Sequence, residues 1–271
     1  MNSGGRRMCT SSFIQNELIN TFGHLIQSQI VRNVRKFIFY SVLADETTDI
    51  IQVEQFSLCV RYVEDQKYKI REDFLTFVPF YDVTGAGLAN TVLETLSILG
   101  LDLKKMRGQG YDGSATMRGN ALNLKRKQLH PYNTSFQNFV PKQISIHWKL
   151  LSISTKNICH IKRSCKVSLC CGKKSGVRKN LPKTAISSQE KCDKTFFPNI
   201  YILLKLLAVV PASVATVERS FSSLRRLKTY LRNTTSESRL NGLALLSIHK
   251  DIKIRDEEVL DKFASVPRNL A

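Results

Sequence analysis

Long apolar runs are absent from this sequence. No stretch reaches the roughly 18–20 residues that cross a bilayer. The longest, NIYILLKLLAVVP at 199–211, is too short and carries Lys205. No membrane-spanning element is expected. The N-terminal MNSGGRRMCTSS has no apolar stretch behind it, so a secretory signal is not expected either. Cysteine is sparse and odd in number, seven in 271 residues, with no disulfide-framework spacing. Reduced thiols follow, and with them a nuclear or cytosolic location. Negative charge is scarce as well. Twenty-two acids face 41 Lys and Arg, a net charge of +19. A surplus of that size points to a polyanionic partner, and nucleic acid is the usual one. Glycine-rich phosphate loops are lacking: GAG at 85–87 and GQGYDG at 108–113 fit neither a P-loop nor a dinucleotide fingerprint. A small-molecule substrate is therefore not expected.

What is present suffices for a core, since 42% of the residues are hydrophobic. Residues 13–36 repeat apolar positions at helical spacing (Ile14, Leu18, Phe22, Leu25, Ile26, Ile30) and predict an amphipathic helix. Three strand-like stretches follow, at 37–44, 55–64 and 69–78, the last two expected to pair as a hairpin across DQK. A helix is predicted over 84–100, capped by Thr84 and stopped by Gly100. A short strand around 104–111 then leads into GYDGSA and a further helix.

The middle of the chain differs. Between Pro141 and Lys194 lie 13 Lys or Arg and 2 acids. No periodicity is usable over about 160–192, which reads as a linker, disordered in part. Lys173, Lys174, Arg178 and Lys179 in this stretch are candidate phosphate contacts without base readout. Cys159, His160, Cys165, Cys170 and Cys171 cluster there, but their spacing matches no closed zinc site, and chance clustering explains them. Trp148, beside His147, reads as a core anchor or as an aromatic for stacking on a base.

Order is expected again from 196. Three helices are predicted, near 199–209, 212–231 and from Ser236 onward. The second carries a stripe of Val214, Val217, Phe221, Leu224, Leu227 and Leu231. The third offers Leu240, Leu243 and Leu246. Short helices with such stripes must pack on the sheet, on another copy, or on both. RRLK at 225–228 is either a phosphate contact or a solvated face.

The acids pose the chemical question. SVLADETTDI ends an apolar strand on a knot of carboxylates, and a second strand runs toward Asp112. From spacing alone, such acids are either polar turn residues or metal ligands. Carboxylates gathered at strand ends require divalent cations to ionise together, and hard oxygens suit Mg²⁺ or Mn²⁺.

The blocks SVLADETTDI, IREDFLTFV and LDLKKMRGQGYDGSATMRG resemble the RNase H-like core of hAT-superfamily transposases, notably the zinc finger MYM-type-like group of transposon-derived proteins. VPASVATVERSFSSLRRLKTYLRNTTSESRLNGLALLSI is similar to that superfamily's C-terminal dimerisation region. The resemblance implies an α/β fold: a truncated RNase H-like mixed sheet with flanking helices, followed by a helical dimerisation region. It also implies a DDE site in which Asp45, Asp112 and Glu218 hold two Mg²⁺ or Mn²⁺ ions, with Asp49 and Glu46 as lesser substitutes for Asp45. A homodimer, or a pair with a related hAT protein, is implied too, seated on Val214, Val217, Phe221, Leu224, Leu227, Leu240, Leu243 and Leu246.

The chain departs from the family in the interval between Asp112 and Glu218. There the family carries a long helical insertion, and this sequence carries a short basic stretch. The expected organisation is a helical segment at 1–36, a core fragment at 37–140, a basic linker at 141–195, the dimerisation region at 196–252 and a tail at 253–271. Three functions compete: a dimerising, DNA-associated protein that is not a competent transposase; a metal-dependent DDE nuclease or strand transferase; and a decayed transposon remnant. The first is favoured.

Overall fold

The computed structural model describes residues 11–48, 53–64, 67–81, 85–111, 175–211, 213–228 and 235–265. Helix α1 (Ser12–Lys36) leads into strands β1 (Tyr40–Thr48), β2 (Glu54–Glu64) and β3 (Lys69–Pro79). Helix α2 (Gly85–Ile98) and a 3₁₀ turn (Leu103–Lys105) precede β4 (Met106–Gly110). Five further helices follow: α3 (Ser175–Glu190), α4 (Pro198–Val209), α5 (Ala215–Leu227), α6 (Glu237–Ile248) and α7 (Asp256–Ala264). Among the described residues no helix is long and apolar enough to cross a membrane.

The four strands form one mixed sheet in the order β3-β2-β1-β4. β1 pairs antiparallel with β2 and parallel with β4. The expected hairpin of β2 and β3 is present; its register runs from Gln55 opposite Pro79 to Glu64 opposite Lys69. Tyr68, just before β3, holds φ 47, a left-handed conformation uncommon for a bulky side chain. β1 runs four residues beyond its predicted end, so Asp45 and Glu46 belong to the strand and not to a turn.

Alternation along each strand sorts the side chains between two faces. Tyr40, Val42, Ala44, Phe56, Leu58 and Tyr62 share one, and Phe37 at the end of α1 stacks on Tyr62 with ring centroids 5.3 Å apart. Leu88, Val92 and Leu96 of α2, all fully buried, join the same core. Burying each such side chain contributes about 1.5–3 kcal/mol. α2 stops as expected at Gly100 (φ 67), where Leu101 N–H bonds Leu96 O at 2.9 Å.

The other sheet face carries Ser41, Leu43, Asp45, Ser57, Cys59 and Arg61, and α4 and α5 cover it. The stretch read as a linker departs from expectation here: Ser175–Glu190 is helical and packs on α4. Ala185 and Ile186 join Leu204, Ala208 and Val209 in a second apolar cluster against Val63. Charge density masked that short apolar spacing.

α1 and α6 cross where Gly23 meets Gly242. A Cβ on Gly23 would lie 2.7 Å from Gly242 Cα, and one on Gly242 would lie 2.7 Å from Ile19 O. Only hydrogen side chains allow this approach. The N-terminal helix therefore packs directly on the C-terminal region.

Candidate functional site

Asp45 is the sixth residue of β1, 7% exposed. Its Oδ1 accepts from the Glu46 backbone N–H at 3.0 Å. A buried carboxylate persists only when hydrogen-bonded or paired. In the register it stands opposite Ser57. The Ser57 hydroxyl lies 2.7 Å from that of Ser220 on α5, a buried pair. Asp45 therefore belongs to the face that α5 covers. Glu46 belongs to the opposite face, as alternation requires.

α5 is fixed in place by charge as well as by packing. Glu72 on β3 pairs with Arg61 on β2, and its second oxygen accepts from the Thr216 hydroxyl in the first turn of α5. Arg61 also donates to Ala208 O at the end of α4, through Nε at 3.3 Å and Nη2 at 3.1 Å. One guanidinium thus holds the connection from α4 to α5. Glu218 follows two residues after Thr216, exposed and in the first turn. A carboxylate there also complements the positive helix N-terminus.

β4 approaches β1 through Gly108 and Gly110. A Cβ on Gly108 would lie 2.5 Å from Ser41 Oγ and 2.9 Å from Pro211; one on Gly110 would lie 2.8 Å from Leu43 and 2.9 Å from Pro211. Gly110 thus admits Pro211 of the α4–α5 connection against the sheet. The last registered pair is Leu43 with Gly110. Asp112, two residues on, lies outside the described residues, as do Asp49, Gly113, Trp148 and the Cys159–Cys171 cluster.

The structure thus puts Asp45 under α5 and Glu218 on it. By donor chemistry both carboxylates suit a hard divalent cation. Among the described residues, however, no group of three His, Cys, Asp or Glu gathers as a metal site. The described pair alone falls short of one. Cys59, on the same sheet face, is no nucleophile: burial pushes its thiol far up, and it stays protonated.

The expected dimerisation stripe is occupied within the chain. Val217, Leu224 and Leu240 are buried in its own core. Phe221 stacks on Phe77 of β3 with centroids 6.5 Å apart. Val214, Leu227 and Leu246 pack against the same cluster, and Leu243 is half-buried. Of the expected phosphate contacts, Lys173 and Lys174 lie outside the described residues, and so do the side chains of Arg178 and Lys179 on α3. Lys228 of RRLK is buried rather than solvated. Three features escaped sequence reasoning: the Arg61–Glu72–Thr216 link, the pairing of Asn241 with Phe77, and a basic cluster at the far end of the sheet.

Comparison with known proteins follows this division. Residues 1–122 match the model of the ZMYM1/FAM200 RNase-like domain, and residues 179–252 match the hAT family C-terminal dimerisation region. The second match begins within α3, ahead of the expected boundary at 196. The chain is similar to the mouse protein named 52 kDa repressor of the inhibitor of the protein kinase, 39% identical over 89 residues, which is 33% of this chain and 12% of the relative. It is 45% identical over 73 residues to the human protein of that name, 27% of this chain and 10% of the relative.

Proposed function

We propose, for a chain that belongs to the hAT-transposase-derived proteins through its ZMYM1/FAM200-type RNase-like domain and its hAT C-terminal dimerisation region, that it self-associates and binds nucleic acid without acting as a transposase. The dimerisation-region match carries this reading. The apolar stripe is spent on the chain's own core, so a second copy must seat elsewhere. Phe196 (77% exposed), Phe197, Ile202 and Val210 are large apolar side chains left exposed between α3 and α5. Isolated exposed apolar residues are common, but a run of them within a dimerisation region fits a partner surface. Size-exclusion with light scattering tests it. The expected mass is twice 30.8 kDa, falling to one chain in Phe196→Asp/Ile202→Asp. A wild-type chain that stays monomeric at micromolar concentration overturns the reading.

The charge of +19 supports a nucleic-acid partner. The matched relatives are named repressors, which fits a binding role rather than a catalytic one. A nuclear site of action follows from a DNA partner, and imaging of the tagged chain tests it.

A second reading keeps the ancestral chemistry, with Asp45, Asp112 and Glu218 holding Mg²⁺ or Mn²⁺ for DNA strand cleavage. The burial of Asp45 under α5 favours it. Calorimetric titration with Mn²⁺ decides: saturable binding lost in Asp45→Asn supports a metal site, and its absence in the wild-type chain removes this reading. The first reading survives either result on binding.

A further inference from the structure

We infer that the sheet end remote from Asp45 is a docking surface for the phosphate backbone of a nucleic-acid duplex. The end of α1 and the 3₁₀ turn before β4 are far apart in sequence but stapled together. Arg35 Nε donates to Gly100 O at 2.9 Å and its Nη2 to Leu99 O at 3.1 Å. Lys105 Nζ returns a bond to Arg35 O at 3.2 Å. Over 32–36 and 102–107, Arg32, Arg35, Lys36, Lys104, Lys105 and Arg107 set six cations against the single acid Asp102. Glu94, a turn back along α2, is the next carboxylate on these elements.

Half of these cations have structural duties. Arg35 caps α2, Lys105 caps α1, and Arg107 lies over the Phe39 ring at 4.8 Å while donating to Lys104 O and Met106 O. Arg32, Lys36 and Lys104 have none: all three are exposed, and among the described residues their side chains make no hydrogen bond or ion pair. Arg32 and Lys36 stand one helical turn apart on one face of α1. Like charges held together without partners cost stability, and a polyanion relieves that cost. Exposed cations spread over a helix end and a turn suit a run of phosphates better than a single anion.

The place of this surface is informative. Tyr40, at the start of β1, pairs with Met106. Asp45 is five residues further along, about 16 Å at the strand rise. A duplex held here is anchored away from the carboxylate end, a tether rather than a catalytic grip.

This inference rests on the nucleic-acid reading above, and the test separates the two. Anisotropy of a labelled duplex of about 20 base pairs is measured with the full chain between about 50 and 200 mM salt. The variants are Arg32→Gln/Lys36→Gln/Lys104→Gln and, as a charge-matched control, Lys250→Gln/Lys253→Gln/Lys262→Gln, also exposed. The first is expected to weaken binding at least about tenfold and to lower the salt slope by about 2–3, with the control affected far less. Equal loss in both variants, or none in the first, overturns the docking surface while leaving the nucleic-acid reading standing. Absence of duplex binding by the wild-type chain overturns both. Loss of binding to phosphatidylserine vesicles, with duplex binding kept, assigns the cations to a lipid surface and overturns the inference.

Discussion

Asn241 satisfies both backbone polar groups of Phe77: its Oδ1 accepts from Phe77 N–H at 2.7 Å, and its Nδ2 donates to Phe77 O at 2.9 Å. Among the described residues β3 is the edge of the sheet, and the side-chain amide takes the place of a neighbouring strand. Gln27 on Leu75 O at 3.0 Å and His249 on Phe74 O at 2.8 Å continue the cover. Asn241→Leu is expected to cost about 2–3 kcal/mol, the loss of two partners for half-buried backbone groups. It is also expected to promote aggregation through the bared edge. Urea unfolding with light scattering checks both; an unchanged midpoint would show that water replaces the amide without cost.

Gly23→Ala is expected to destabilise by about 1–3 kcal/mol, because its methyl meets Gly242 Cα and two helices must part. Gly242→Ala acts at the same crossing against Ile19 O. The double variant should cost less than the sum, since a helix pair already displaced has room for the second methyl. Chemical denaturation of the four proteins closes the cycle.

Arg61→Met leaves Glu72 and Ala208 O without their guanidinium. Stranding one member of a buried pair costs about 3–5 kcal/mol, and Glu72, more exposed than Arg61, places the expectation at the lower end. Arg61→Met/Glu72→Leu should recover much of that loss. If the double variant is as unstable as the single, the damage lies in packing and not in the unpaired charge.

His24 on α1 gives a pH dependence of known sign. Partial burial, then the Lys262 ammonium, lower its pKa from the ordinary 6.5. The unfolded chain therefore takes up this proton first. Stability is full above about 6.5 and declines as pH falls from there toward the folded value. His24→Gln should flatten that slope, and Lys262→Gln should reduce it. Thermal midpoints across this range decide; a slope unchanged in His24→Gln assigns it to another group.

The elements were legible where one face carried the signal. β2, β3, α1, α2 and α4 lie within a residue or two of their expected positions, because strand alternation and helical apolar spacing are local. β1 was cut short at Leu43–Ala44 because acids after an apolar run resemble a turn; its pairing with Glu54–Ser57 extends it. α3 was missed because lysines surround the brief spacing of Ala185 and Ile186. The stripe on α5 was visible, but whether it met the sheet or a second copy was not, since one periodicity serves both. Ser236 occupies its expected N-cap position, yet its hydroxyl lies 3.4 Å from Ser238 Oγ and makes no capping bond. Asp45 was expected at the end of β1; it lies inside the strand, on the face that α5 covers. Asn241, Arg61 and the cations of α1 had no local signature, because their partners lie on other elements.

The crossing of Gly23 with Gly242 also bears on synthesis. α1 finds its crossing partner only after the strands and the intervening helices have been made. Until α6 emerges, Phe77 on β3 has no amide to cover it; Gln27 of α1 reaches only Leu75 O, and the nascent edge stays partly open. Contacts of such long range slow folding. A nascent chain interrupted before Asn241 would need a chaperone or a companion strand to stay in solution.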